Sequence, residues 1–215
     1  MVVGTLISAS ASLLPLALRL LKERAPQVLV SVRIGQFDQL FPALIVGEVD
    51  LVIGRIPDDW RGREESRTLG VDSLYVESLS IVAGSRHPLH DQAVSSLADL
   101  QAYPWILPPP GSSLRRTVNG LFAEADLPLP ANVIESLSVL TNVALMQDQK
   151  TVGLLPMETA RQLSGQGGIR SFTFGTPLRF GGIGCFYPHN RDPGPAAKLF
   201  RECARLACER HVICD

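Results

Sequence analysis

Apolar residues along this chain switch repeatedly between strand and helix periods. Val2 to Ile7 is a short apolar run of strand length. Leu13 to Ala25 carries Leu13, Leu14, Ala17, Leu18, Leu20 and Leu21 at helical spacing, and Pro26 ends it. That stripe is broader than one packing face needs, which fits either a deeply buried helix or one shared with a second subunit. Val28, Val30, Val32 and Ile34 fall on one side of an alternating strand. A helix to about Val46 follows, with Asp38 as its N-cap, Pro42 tolerated near its first turn, and Gly47 ending it. Asp50-Leu51-Val52-Ile53-Gly54 is a short apolar strand. The order strand-helix-strand-helix-strand predicts a parallel α/β sheet covered on both faces.

The second half repeats this logic. Leu69 to Ala83 is β-rich, and Gly84 to Leu89 breaks the pattern, so a subdomain boundary is placed there. Ser96 caps a short helix around Leu97 to Gln101. Trp105 to Leu107, Val133 to Glu135, Thr151 to Leu155, Phe172 to Phe174 and Arg179 to Tyr187 read as strands. Helices are expected from Leu114 to Ala125, from Val139 to Gln147, briefly after Pro156, and from Pro195 to about Glu209. The last should turn Ala196, Leu199, Phe200, Cys203, Leu206 and Ala207 inward.

Four turns between a strand and the next helix carry small polar residues: Ser8 to Ser12, Gly35 to Asp38, Gly111 to Ser113 and Ser136 to Ser138. The first N–H groups of a helix lack an internal partner and sit at the positive end of the helix dipole. Such turns can therefore hold a small polar or anionic ligand, and open α/β sheets bind ligands beyond the carboxyl ends of their strands.

Composition narrows the classes. With 215 residues and 46 % hydrophobic content the chain folds around a real core. A formal net charge of −1 leaves no electrostatic footprint for nucleic acid. Cys185, Cys203, Cys208 and Cys214 form no CxxC pair, so they read as reduced apolar side chains of a cytoplasmic protein. The opening Met1-Val2-Val3-Gly4 lacks a basic leader region, no run approaches the length of a membrane span, and a start inside a strand pattern is expected of a domain cut from a longer protein. No GxSxG elbow and no GxGxxG or GxxxxGK[ST] loop is present. Glu64 and Glu65 are adjacent, and His87 and His90 lack cysteine partners, so no catalytic group, cofactor or metal is expected.

Several short stretches, in order, resemble the effector-binding domain of LysR-type transcriptional regulators. They are Ser8 before Leu14-Pro15; Gly35, Leu40, Leu44, Gly47 and Asp50 to Ile53; and Ser80 to Val82 before His87-Pro88-Leu89. Leu97 to Leu100, Tyr103 to Ile106, Pro108 to Arg115 and Gly153 to Pro156 follow. The resemblance covers essentially the whole chain and rests on the ordered set, since no single piece is specific. It implies a fold like type 2 periplasmic binding proteins: two Rossmann-like α/β subdomains joined by two crossover segments, with a ligand cleft between them. Subdomain I would comprise residues 1–83 and 184–215 and subdomain II residues 84–183, with crossovers near Val82 to Ser85 and Gly182 to Phe186. It also implies a homodimer or higher oligomer, no membrane partner, and DNA contact only through an N-terminal winged helix-turn-helix that this sequence lacks. The alternative is a periplasmic solute-binding protein of a transport system.

Within that frame the candidate effector contacts are Ser8, Ser10, Gln36, Phe37, Arg55, Gly111, Ser112, Ser113, Ser136, Leu137 and Phe186. Ser8 and Ser10 could offer hydroxyls and nearby N–H groups, or simply cap the helix, with Ser12 the expected cap. Gln36 offers a donor and an acceptor, while Phe37 and Phe186, like Tyr187, suit either an apolar wall or the core. Arg55 could meet an anion bidentately or lie solvated in its loop. Arg115 could help bind a carboxylate at the Gly111 to Ser113 turn or brace that turn. The effector class stays open among aromatic acids, sugars and sugar acids.

Overall fold

The computed structural model describes every residue except 7, 8, 10–12, 92, 93, 95, 149, 173–177 and 212–215. The chain divides into two compact units, Met1–Val76 with Gly181–Asp215, and Glu77–Phe180. Both divides fall inside continuous strands, β4 (Leu69–Gly84) and β9 (Leu178–Pro188), each passing from one unit to the other. The sequence boundary was drawn at Gly84 because β4 ends there. No break in pattern marks the divide itself.

In the first unit β1 (Val2–Thr5) runs parallel between β2 (Ser31–Ile34) and β3 (Leu51–Arg55), and β9 pairs antiparallel with β3. Asp50 joins β1 to β3: its carboxylate accepts from the Val2 N–H at 2.7 Å. Alternation along the strands supplies two cores. Leu51 and Ile53 of β3, with Ile183 and Cys185 of β9, face helices α1 (Leu13–Arg24) and α6 (Gly194–His211). Val52 and Phe186 face α2 (Phe37–Val46). This is the two-faced burial that a wholly apolar central strand requires.

Three sequence expectations change here. α2 begins at Phe37, so its N-cap is Gln36 and not Asp38, and Pro42 lies inside the helix. The Gln39 side-chain oxygen accepts from the Gln36 N–H at 3.3 Å, which draws the helix start two residues earlier. β2 is exposed along its whole length, with Val32 45 % and Ile34 58 % exposed, because it is the outer strand of this unit's sheet. α6 buries Ala197, Phe200, Cys203, Ala204, Ala207 and Cys208. Small residues predominate on that face, and they let α1 approach through Ala17; Ala196, Leu199 and Leu206 lie at its margin.

In the second unit β5 (Trp105–Leu107) lies parallel between β6 (Val133–Glu135) and β7 (Val152–Pro156). β4 pairs antiparallel with β7, and β8 (Ile169–Ser171) pairs with β4. β8 therefore precedes the Phe172 to Phe174 strand expected from sequence, and residues 173 and 174 lie outside the described part. Trp105 and Leu107 pack against α3 (Ser113–Glu124). Ile106 faces α4 (Val139–Met146) and α5 (Met157–Gly165). The Trp105 indole N–H donates to the Leu100 carbonyl at 2.9 Å, so the buried ring carries no unmet donor. Among the described residues no helix is long and apolar enough to cross a membrane.

The break after β4 is closed by histidines. His87 is buried; its Nδ1 accepts from the Leu89 N–H at 3.2 Å, which leaves Nε2–H to donate to the Lys150 carbonyl at 3.2 Å. His90 stacks on Phe172 at 4.6 Å. Burial, above all, holds both imidazoles below their ordinary 6.5; for His90, Arg170 and His87 add to the effect, while for His87 the Lys150 carbonyl and Asp148 oppose it. Well above pH 6.5 neither the folded nor the unfolded chain charges these rings. Below it the unfolded chain takes up protons that the folded chain resists, so stability falls on acidification. We expect the melting temperature to drop between about pH 7 and the lowered folded values. His90→Gln should flatten that slope in a pH series of thermal melts.

Candidate functional site

Parallel pairing decides where the polar turns lie within each unit. In the first unit Thr5 is in register with both Ile34 and Ile53, so the segments that follow β1, β2 and β3 leave the sheet at one edge. Gln36 and Phe37 follow β2, and Arg55 ends β3 itself. Ser8, Ser10 and Ser12 lie outside the described residues. Gln36 is exposed at the start of α2, where its backbone N–H is already paired with Gln39.

Phe37 is half-buried, with its ring 4.6 Å from Phe41 and 5.9 Å from Phe186. Phe186 has no exposed surface: Phe41 lies 5.0 Å and Trp60 4.9 Å from its ring. Within this unit Phe186 packs in the core. Tyr187, beside it, lies under the Arg201 guanidinium, 3.6 Å from Cζ to the ring centroid. Arg201 in turn holds Asp72 at 2.8 Å.

Arg55 ends β3 and is not solvated, as its loop position had allowed. Its side chain is 10 % exposed, and one guanidinium nitrogen meets both oxygens of Asp58, at 2.8 and 2.9 Å. Asp58 itself is 83 % exposed. The sequence reading missed Asp58, although its place three residues after Arg55 was a usable signal.

In the second unit Leu107 is in register with Glu135, so the turns after β5 and β6 leave the sheet side by side, and the Ser136 N–H donates to the Leu107 carbonyl at 2.9 Å. These turns carry Gly111, Ser112, Ser113, Ser136 and Leu137. Ser112 is the N-cap of α3: its hydroxyl accepts from the Arg115 N–H at 3.1 Å and donates to the Pro109 carbonyl at 2.9 Å. Ser113 is the first residue of α3, and Gly111 is exposed with φ 84°. Ser136 accepts from the Ser138 N–H at 3.2 Å, while Ser138 caps α4 by accepting from the Thr141 N–H at 3.3 Å. Leu137 is half-buried.

Arg115 braces the turn. Its guanidinium donates to the Pro108 carbonyl at 2.8 Å, to Glu135 at 3.0 Å and to Asn119 at 3.1 Å. It thereby ties the end of β5, the end of β6 and the first turns of α3. Ser112→Ala removes the cap and should destabilise this unit by about 1 kcal/mol. Chemical denaturation read by tryptophan fluorescence would measure the change, because Trp105 is buried here.

The family model of the LysR substrate binding domain matches residues 1–209, and the chain belongs to that family. The HTH-type transcriptional regulator GbpR of Rhizobium radiobacter is 28 % identical over 164 residues, covering 76 % of this chain and 53 % of that protein. The HTH-type transcriptional regulator GalR of Pseudomonas putida is 29 % identical over 218 residues, covering 99 % of this chain and 51 % of that protein. The effector binding domain of QuiR in complex with shikimate shares 18 % identity and a TM-score of 0.73, covering 98 % of this chain and 97 % of that one. At that identity the likeness is one of fold, and it matches the α/β architecture expected for periplasmic-binding-protein-like effector domains. The chain spans about half the length of the two regulators. The family match decides against the transport alternative.

Proposed function

We propose that this chain is the effector-sensing and oligomerisation part of a cytoplasmic LysR-type transcriptional regulator. It takes a small polar effector at the polar turns that follow its parallel strands, and DNA is contacted by a winged helix-turn-helix outside this sequence. The observation that carries this reading is that family membership coincides with polar turns gathered at the carboxyl ends of parallel strands in each unit. Shikimate, the ligand named for the QuiR domain, is a hydroxylated acid of the general kind such turns suit. Hydrogen bonds to a charged group contribute about 1.5–3 kcal/mol each, so three or four of them, after the cost of association, give affinities near micromolar, about −8 kcal/mol. An effector would act only through unequal affinity for two conformations.

Isothermal calorimetry against aromatic acids, sugars and sugar acids tests this reading. At least one class should bind near micromolar affinity and raise the melting temperature, and Ser8→Ala should weaken it. A panel that yields no binder would remove the sensing function. For self-association, the exposed β2 strand, with Val32 and Ile34 at its surface and exposed Leu29 just before it, is the face of the first unit that a second copy would cover. Val32→Lys should then shift the species seen by analytical ultracentrifugation toward monomer.

A further inference from the structure

We propose that His87 is an acid-operated latch of the second unit: when its ring takes up a proton, the segment after β4 lets go of the turn between α4 and β7. The latch lies at the sheet edge opposite the polar turns of this unit. Ala83 of β4 pairs with Val152, the first residue of β7, and Val152 pairs in turn with Trp105, the first residue of β5.

Hydrogen-bond direction singles out His87. Its Nδ1 faces a donor, the Leu89 N–H at 3.2 Å, and accepts from it only as a bare lone pair. Its Nε2–H reaches the Lys150 carbonyl, 63 residues along the chain, at 3.2 Å. The neutral ring therefore ties residues 87–89 to the turn that leads into β7. The imidazolium carries a donor on both nitrogens. Nδ1–H would confront the Leu89 N–H, and the charge would sit on a residue that is 1 % exposed. Both costs are relieved together when the ring swings out to water, which breaks the tether to Lys150. His90 lacks this conflict. Its Nε2 meets the Gly84 carbonyl at 3.1 Å, and a carbonyl accepts from the charged ring as well as from the neutral one.

The surroundings of the ring do not hold a cation in place. Tyr103 and Phe172 enclose it, at 4.7 and 5.8 Å between ring centres, and His90 lies at 6.0 Å. Asp148 favours charge on His87, but its carboxylate already accepts from the Lys150 and Thr151 N–H groups and from the Thr151 hydroxyl. Arg170 of β8 adds positive charge beside His90, while Arg86 and Lys150 are exposed. Burial outweighs Asp148, so the enclosed ring resists the proton and the released ring does not. Proton uptake thus favours release, by up to about tenfold for each pH unit below about 6.5. The released turn directly follows α4. The last residue of that helix, Met146, lies against Gly84 at the latch, and its first turn is capped by Ser138 at the other end. Acid thereby loosens α4 from its carboxyl end. A consequence for effector affinity rests on the sensing role proposed above; the latch itself does not.

Amide exchange followed by NMR at about pH 7.5 and about pH 5.5, corrected for intrinsic rates, tests the latch without any effector. The amides of Leu89, Gln147 and Asp148 should open about tenfold more at the lower pH, and the His87 ring nitrogens should report the Nε2–H tautomer at the higher. In His87→Asn the side-chain oxygen still accepts from the Leu89 N–H, but nothing reaches Lys150 and nothing titrates. Leu89 should then stay protected at both pH values, while Gln147 and Asp148 exchange fast at both. His90→Gln should keep the acid response at Leu89. Equal exchange at both pH values in wild type, an Nδ1–H tautomer, an acid response at Leu89 that survives His87→Asn, or one that is lost in His90→Gln would each overturn the proposal. The wild-type measurements decide even where a variant fails to fold.

Discussion

Phe186→Ala is expected to destabilise the first unit by about 3–5 kcal/mol, the range for removing a buried phenylalanine from a core. For a chain of this size that corresponds to a fall in melting temperature of roughly 6–20 °C. The ring has no exposed surface and lies within 6 Å of three other aromatic rings, Phe37, Phe41 and Trp60. Three of these contacts have tilted or edge-on geometry, which contributes about 0.5–1.5 kcal/mol per pair beyond area burial. Truncation therefore loses both burial and ring contacts, and leaves a cavity between β9 and α2 that neither element can close alone. A ring that instead formed a wall open to ligand would show the reverse: a small loss of stability and a large loss of effector affinity. Thermal unfolding and calorimetry on the same variant separate the two. A melting temperature within about 3 °C of wild type would return Phe186 to the list of contacts.

Phe186 also shows what a sequence can reveal and what it withholds. Strand and helix order was legible because each element carries its own period, and the apolar Leu51-Val52-Ile53 run was rightly read as a strand covered twice. The Ser96 cap was legible for a similar reason, since it pairs with Asp99 only three residues on, whereas Ser112, read as an effector contact, caps α3. The aromatic cluster was not legible, because its rings come from residues 37, 41, 60 and 186. Arg115 likewise takes its role from Pro108 and Glu135, and no local pattern announces a brace. β2 failed differently. Its alternation is real, but alternation says only that a face is apolar, not that something within the chain covers it. For α6, apolar rank favoured Leu199 and Leu206, whereas close approach of two helices selects alanine and cysteine.

Gly84→Ala is expected to lower the stability of the second unit by about 1–3 kcal/mol, and Gly153→Ala by clearly less. Gly84 ends β4 and Gly153 lies in β7, strands paired through Val82 and Gly153. Both glycines make room for Met146, the last residue of α4, which is fully buried. They do so at different atoms. A Cβ on Gly84 would collide with the Met146 backbone oxygen, whereas a Cβ on Gly153 would meet Met146 Cε at 2.6 Å. A thioether methyl can rotate away, because methionine has three flexible torsions. A backbone carbonyl at a helix end moves only if the helix moves, so the Gly84 variant must displace α4 from the core formed by Val82, Ile106 and Leu155. The predicted signature is local: faster amide exchange along α4 in Gly84→Ala, with α3 little changed, and near wild-type exchange in Gly153→Ala. Equal cost for the two variants would mean that α4 slides freely over these strands. Ser138 and the turn it caps would then be a movable edge of the site rather than a fixed one.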